Sequence, residues 1–138
     1  MHKIFKDEHS DEWFFPKDSY ILSETDDKGL ILYANELFCE IAGYSLDEII
    51  GEPHNIVRHP DMPRIAFAGL WDDIQSKGFW SGIVKNKRKD GASYWVSATV
   101  LKRVGSNGKV TYLSIRTVPN RQTVENCIVL YAELKSKE

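Results

Sequence analysis

The ten residues His54–Pro63, HNIVRHPDMP, hold two histidines, an arginine and an aspartate between two prolines. Three chemistries use such a set: metal ligation, a His–Asp acid–base pair, or the rim of a pocket for something anionic. His54 and His59 are five apart across a proline-bounded turn with no cysteine beside them. That fits neither the usual zinc spacings nor a helical HxxxH pair. His59 and Asp61 could form a dyad, but no nucleophile stands near them. GxSxG, GxGxxG and P-loop motifs are all missing, so the chain reads as a non-enzyme. The choice among the three rests on the elements around the stretch.

At 138 residues the chain suits one domain with a real hydrophobic core. Its 42% hydrophobic and 28% charged content is ordinary for a globular protein, and disorder is not indicated. The formal net charge of -2 carries no basic excess to favour nucleic acid or an anionic membrane. Four tryptophans within a 12% aromatic share favour a cofactor pocket or a partner surface. Cys39 and Cys127 have no CxxC spacing, and a disulfide scaffold is not supported. No apolar run reaches membrane-spanning length, and the polar start is no signal peptide. The expected setting is soluble and cytoplasmic, without membrane insertion by this segment.

Residues 1–18 carry mixed charge and the apolar knot Trp13-Phe14-Phe15, which reads as an N-terminal cap with a short helix. Residues 19–119 form the expected main domain. Tyr20–Ser23 and Leu30–Tyr33 flank an Asp, Lys and Gly turn, a hairpin pattern. Asn35 has the position of an N-cap for a helix that Gly43 stops, and Ser45 with Glu48 is a capping box for one more turn. Pro63 is expected to open a longer helix to about Lys77, with Ile65, Leu70, Trp71 and Ile74 as its stripe and Phe67 flanking it. Trp80–Lys89 and Ser93–Val104 flank Asp90-Gly91, and Val110–Val118 follows as another strand. Residues 120–138 read as a C-terminal helix with Val124, Ile128, Tyr131 and Leu134 at helical spacing, a stripe that packs on its own domain or pairs with a partner helix. The order gives an α+β fold: one antiparallel sheet of five strands, helices on one side, and a ligand-sized hollow between them.

Tyr33-Ala34-Asn35, Gly43-Tyr44-Ser45, Glu48-Ile49-Ile50-Gly51, Lys89-Asp90-Gly91 and Tyr94-Trp95-Val96 resemble the two halves of a PAS domain. Three longer strings are more specific: HNIVRHPDMP from His54, FWSGIVKN from Phe79 and LSIRT from Leu113. They resemble the PAS domain of bacterial aerotaxis (energy-taxis) receptors, over about Leu22 to Leu134. The resemblance implies a PAS fold that binds FAD non-covalently and reports its redox state to the chemotaxis machinery. It also implies a partner, a HAMP and methyl-accepting transducer in the same chain or a separate one, and a homodimer is expected. Haem held through one histidine, His54 or His59, is the competing cofactor, and a cofactor-free interaction module is the rival from another class.

Under that resemblance Arg58, His59 and Asp61 match residues needed for FAD binding. Arg58 can fork onto a phosphate, His59 adds a donor, and Asp61 holds Arg58 or caps the helix that Pro63 begins. The alternative is a surface loop with an Arg58–Asp61 ion pair. Trp80 matches a tryptophan implicated in flavin binding; otherwise it fills core. Strand alternation puts Asn86 on the face of Trp80, Gly82 and Val84, where its carboxamide suits a flavin edge; otherwise it faces solvent. His54 stands where light-sensing relatives carry a reactive thiol, so flavin–cysteinyl photochemistry is not expected. A second asparagine of those relatives falls at Val96, and their flavin-contacting glutamine near Arg116. Arg116 is therefore a candidate contact or, alternatively, a strand residue paired to a surface carboxylate. Asn35, beside the same cavity in sequence, completes the candidate set.

Overall fold

The computed structural model describes residues 3–138. Seven strands and four α-helices follow one another in the order β1 (Phe5–Lys6), β2 (Trp13–Phe14), β3 (Ile21–Asp26), β4 (Ile31–Ala34), α1 (Glu36–Ala42), α2 (Leu46–Ile49), α3 (Leu70–Lys77), β5 (Phe79–Lys87), β6 (Ser93–Val104), β7 (Val110–Thr117) and α4 (Arg121–Ser136). Two 3-10 turns, His54–Val57 and Arg64–Phe67, lie between α2 and α3. The main sheet is fully antiparallel with strand order β4-β3-β7-β6-β5. This is the five-stranded α+β architecture expected from the sequence.

Pleating alternates side chains between faces. Trp80, Gly82, Val84 and Asn86 of β5 therefore pair in register with Val100, Ala98, Val96 and Tyr94 of β6. Ala98 and Val100 pair in turn with Arg116 and Ser114 of β7, which face Ile21 and Ser23 of β3. These residues form the inner face, covered by α1, α2 and the 3-10 turns. Leu37, Phe38, Ile41, Ile49 and Ile74 are fully buried on that side.

Local chemistry fixes the covering elements. Asn35 Oδ1 accepts from Phe38 N at 3.0 Å and from Leu22 N at 3.1 Å, while Nδ2 donates to the Tyr20 carbonyl at 2.8 Å. One carboxamide thus starts α1 and ties it to β3. Gly43 ends α1 with φ 78°, and Ser45 with Glu48 makes the expected reciprocal box on α2. Arg88, on the turn side of β5, donates to the Ile41 carbonyl at 2.5 Å and lies 4.0 Å below the Trp13 ring. This buried guanidinium joins the C-terminus of α1 to the N-terminal segment.

Two expectations are corrected. Among its described residues the N-terminal cap contains no helix: β1 and β2 form a small hairpin, Phe5 stacks on Phe14 at 5.2 Å, and Ser93 N donates to Asp11 O at 3.2 Å. The cross-strand pairs Phe5 with Phe14 and Lys6 with Trp13 favour strand pairing over a helix there. The long helix from Pro63 is also broken. Ala68 is extended and Gly69 takes φ 79°, a conformation that favours glycine, so the α-helix begins only at Leu70. Ile65 and Trp71 consequently point outward at 58% exposure each, and Ile74 alone of the expected stripe is fully buried. Along α4, Val124 is buried, Tyr131 and Leu134 are half-buried, and Ile128 is exposed.

The segment from Gly51 to His59 straps across the sheet. At one edge Ile31 N donates to Glu52 O at 2.9 Å and Gly51 N to Ile31 O at 2.8 Å; at the other, Arg58 bridges Asn86 and His59 N reaches Lys85 O at 3.4 Å. Tyr131 Oη of α4 donates to the Ile83 carbonyl at 2.8 Å, further along the same β5 edge.

Because the Asn35 carboxamide holds β3 to α1, Asn35→Ala is expected to cost about 2 kcal/mol. Urea unfolding measures this, and ligand affinity of the folded fraction should be unchanged.

Candidate functional site

Beneath the strap lies a cavity of about 150 Å³. Its floor is the inner sheet face, with Trp80, Val84, Asn86, Ala98, Val100, Ser114 and Arg116; its roof is His54, Asn55, Val57, Arg58, Phe67 and Leu70. Trp80 lies flat along β5 over Gly82, where a Cβ would sit 2.7 Å from the indole edge. Only a residue without a side chain allows that pose. Phe67 is tilted against Trp80 at 6.1 Å, and the Arg58 guanidinium covers Phe67 at 4.2 Å. This aromatic and cationic stack closes the mouth.

At the inner end sits Arg116, 4% exposed. Its Nη1 donates to Ser23 Oγ at 3.1 Å and its Nη2 to His54 Nε2 at 2.5 Å, with Phe38 beneath it at 5.6 Å. Among the described residues no carboxylate pairs with it. Burial draws its pKa down to about 10, still far above neutrality, so a full positive charge is held beside the cavity. A guanidinium only donates, so His54 Nε2 must be an acceptor there and Ser23, 3.1 Å away, turns its hydroxyl proton toward it. The His54 proton then resides on Nδ1. Burial first, then the charges of Arg116 and Arg58, push the His54 pKa down to about 3. Ser23, His54 and Arg116 form a polar triad that couples β3, β7 and the strap.

Asn86 is 4% exposed and lines the floor, and Tyr94, its register partner on β6, is fully buried, with burial raising its phenol pKa to about 12. A carboxamide, a guanidinium and a flat indole therefore converge on one hollow with apolar walls. Such a set can bind a planar heterocycle, hydrogen-bond its edge, and stabilise negative charge there.

Five of the eight candidate residues, His54, Arg58, Trp80, Asn86 and Arg116, line this cavity. His59 lies just outside, on a recess of about 260 Å³ that shares Asn55, Arg58 and Phe67 with the cavity. Asp61 is not the partner of Arg58. Its carboxylate lies 3.2 Å from Lys85 Nζ and 3.7 Å from His59 Nδ1, and its backbone N donates to His59 Nδ1 at 3.0 Å. Nor does Asp61 cap a helix, because the turn after Pro63 has no side-chain cap. Lys85, on the outward side of β5, reaches Asp61, whereas Arg58 is drawn over Phe67. Asn35 is outside the cavity, with its carboxamide spent on backbone groups. Among the described residues Arg116 meets no surface carboxylate, because its side chain is buried on the inner face of β7. Sequence reasoning missed Ser23 and set Phe67 only on the flank of a helical stripe; the Gly69 break that turns Phe67 toward Trp80 was the available signal.

The depressed His54 pKa has a consequence for stability. The unfolded histidine, near 6.5, binds a proton more readily than the folded one, near 3. The contribution is complete above pH 6.5 and is lost as pH falls through that window, by up to ~1.4 kcal/mol per pH unit. His59 is shifted the same way, chiefly by burial. Unfolding free energies measured from pH 7 to pH 5 should fall, and His54→Gln should flatten that slope, His59 retaining the remainder.

The family profile described as "PAS fold" matches residues 31–115. The aerotaxis receptor of Escherichia coli (strain K12) is 43% identical over 120 residues, covering 86% of this chain and 24% of the receptor. The nitrogen fixation regulatory protein of Klebsiella oxytoca is 28% identical over 94 residues, 68% of this chain and 19% of the regulator. This chain thus spans a quarter or less of the length of these curated relatives. The light-state structure of the blue-light photoreceptor Aureochrome1 LOV superposes with a TM-score of 0.66 at 26% identity, covering 78% of this chain and 88% of that one. With the profile, the strand order and the helix-roofed cavity in agreement, the chain belongs to the PAS fold family.

Proposed function

We propose that this domain is a redox sensor that binds FAD non-covalently in the cavity and passes its redox state to a chemotaxis signalling domain or partner protein. The observation that carries the reading is the buried Arg116, with no carboxylate partner among the described residues, facing an indole and a carboxamide across an apolar slot. Burying a guanidinium without an acid is costly unless something else compensates it. The negative charge and carbonyl oxygens of a reduced flavin edge are such a compensation. The likeness to an aerotaxis receptor supports the same signalling role.

The residues fit a flavin in kind. Trp80 and Phe67 offer flat apolar faces, Asn86 offers donor and acceptor, and Arg58 stands at the mouth. In size the cavity is below the ~300–1,000 Å³ of most small-molecule sites. Entry of a three-ring system therefore requires the Arg58–Phe67 stack to swing outward, which also frees Arg58 to meet phosphate. Haem is less well served, since the Nε2 lone pair of His54 is already taken by Arg116 and Ser23.

A bound flavin supplies reversible electron uptake with a change of charge and protonation at its ring edge. The protein's part is to register that change. His54 is neutral at physiological pH, so Arg116 is the positive charge at the inner end of the cavity. A stronger pull on Arg116 weakens its bonds to Ser23 and His54, and with them the grip of the sheet on the strap. A bistable strap turns a sub-ångström shift into a different surface.

The deciding measurement is the absorption spectrum of the purified protein with chromatography of the heat-released ligand. Flavin bands with FAD in the supernatant are expected, together with a more negative reduction potential in Arg116→Met. A Soret band would reassign the cofactor to haem, and a colourless protein that takes up no added FAD would leave an interaction module.

A further inference from the structure

Outside the cavity mouth, the recess shared through Arg58 and Phe67 has Arg64 and Lys135 on its far walls and His59 between. Arg64 comes from the 3-10 turn before α3, and Lys135 from the last turn of α4. Arg58, Arg64 and Lys135 bring guanidinium and ammonium donors, and His59 adds another, because its Nδ1 already accepts from Asp61 N and leaves the proton on Nε2. Asp61, the carboxylate nearest in sequence, is occupied by Lys85. Cations gathered around one concavity favour an anion between them.

An anion already holds two of them. The Glu138 side chain accepts from Arg64 N at 2.6 Å and lies 3.6 Å from Arg64 Nε and 3.3 Å from Lys135 Nζ. The carboxylate is 19% exposed, well packed for a charged group at a helix end. The Arg58 guanidinium, by contrast, lies over the Phe67 face and pairs with no carboxylate among the described residues. The path outward from Arg116 thus runs through the slot, past Arg58, and then to Arg64 and Lys135. A ligand with one phosphate satisfies Arg58; a second phosphate is needed to engage the outer pair.

We propose that this recess binds the diphosphate of a flavin dinucleotide, that Arg64 and Lys135 select the dinucleotide over the mononucleotide, and that the phosphate displaces Glu138 from them. The proposal rests on the flavin reading above and adds its phosphate contacts. Lys135 and Glu138 both sit at the end of α4, so exchanging one anion for the other couples ligand loading to the position of that helix. Neither side chain carries the fold. Arg64 is 83% exposed and Lys135 45%, and replacing them leaves the core intact.

The test uses the whole chain freed of ligand, with FAD and FMN titrated separately by fluorescence quenching. In the double variant Arg64→Gln, Lys135→Gln, FAD affinity should fall by roughly tenfold while FMN affinity changes by less than about threefold. Glu138→Gln should tighten FAD and leave FMN unaltered, a gain that damage to the fold would not produce. Equal loss of both flavins, or no loss of either, overturns the phosphate assignment and leaves the flavin reading standing. A wild-type protein that binds neither flavin overturns both.

Discussion

A positive charge buried at the centre of a sheet has to be solvated by something, and in this domain the task falls to Ser23 and His54. Arg116 cannot move to water, because the strap covers the inner face of β7 on which it lies. Its donors must find acceptors nearby, which requires a neutral histidine overhead and a hydroxyl on the adjacent strand. Those two requirements hold the strap down over the inner face. With the strap fixed, Phe67 is placed against Trp80 with Arg58 over it, and a roofed hollow results. Replacing Arg116 with an aliphatic residue would remove the charge and the reason for the polar roof together.

Much of the fold was legible in the sequence because its signals are local. The Asn35 and Ser45 caps, the Gly43 stop and the Asp90-Gly91 hairpin each depend on a few neighbouring residues, and each is found where expected. The long helix after Pro63 was misread because apolar spacing takes no account of backbone. Gly69 carries a positive φ that breaks the helix and reorients Phe67, Ile65 and Trp71. The N-terminal hairpin was missed because its stability is tertiary, resting on Asp11 against Ser93 and Trp13 against Arg88.

The site divides along the same line. Strand alternation was enough to place Trp80 and Asn86 on one face, and that prediction rested on the backbone repeat alone. Partners across the chain were not available to sequence reasoning. Asp61 lies three residues from Arg58, yet it reaches Lys85 on another element. Asn35 was set among the ligand contacts when its whole carboxamide is used in joining β3 to α1. Ser23, thirty-one residues before His54, gives no local sign of its role.

The strap has a further meaning for solubility. An antiparallel sheet with free edges can recruit strands from other molecules. Here β4 and β5, the two outer strands, are each covered by backbone from the same segment, Gly51 at one end and His59 at the other. One stretch of chain is both the lid of a cavity and the seal on two sticky borders. Whatever loosens the lid bares both borders at once. The contacts that roof the hollow are thus the same contacts that guard the sheet against strand addition.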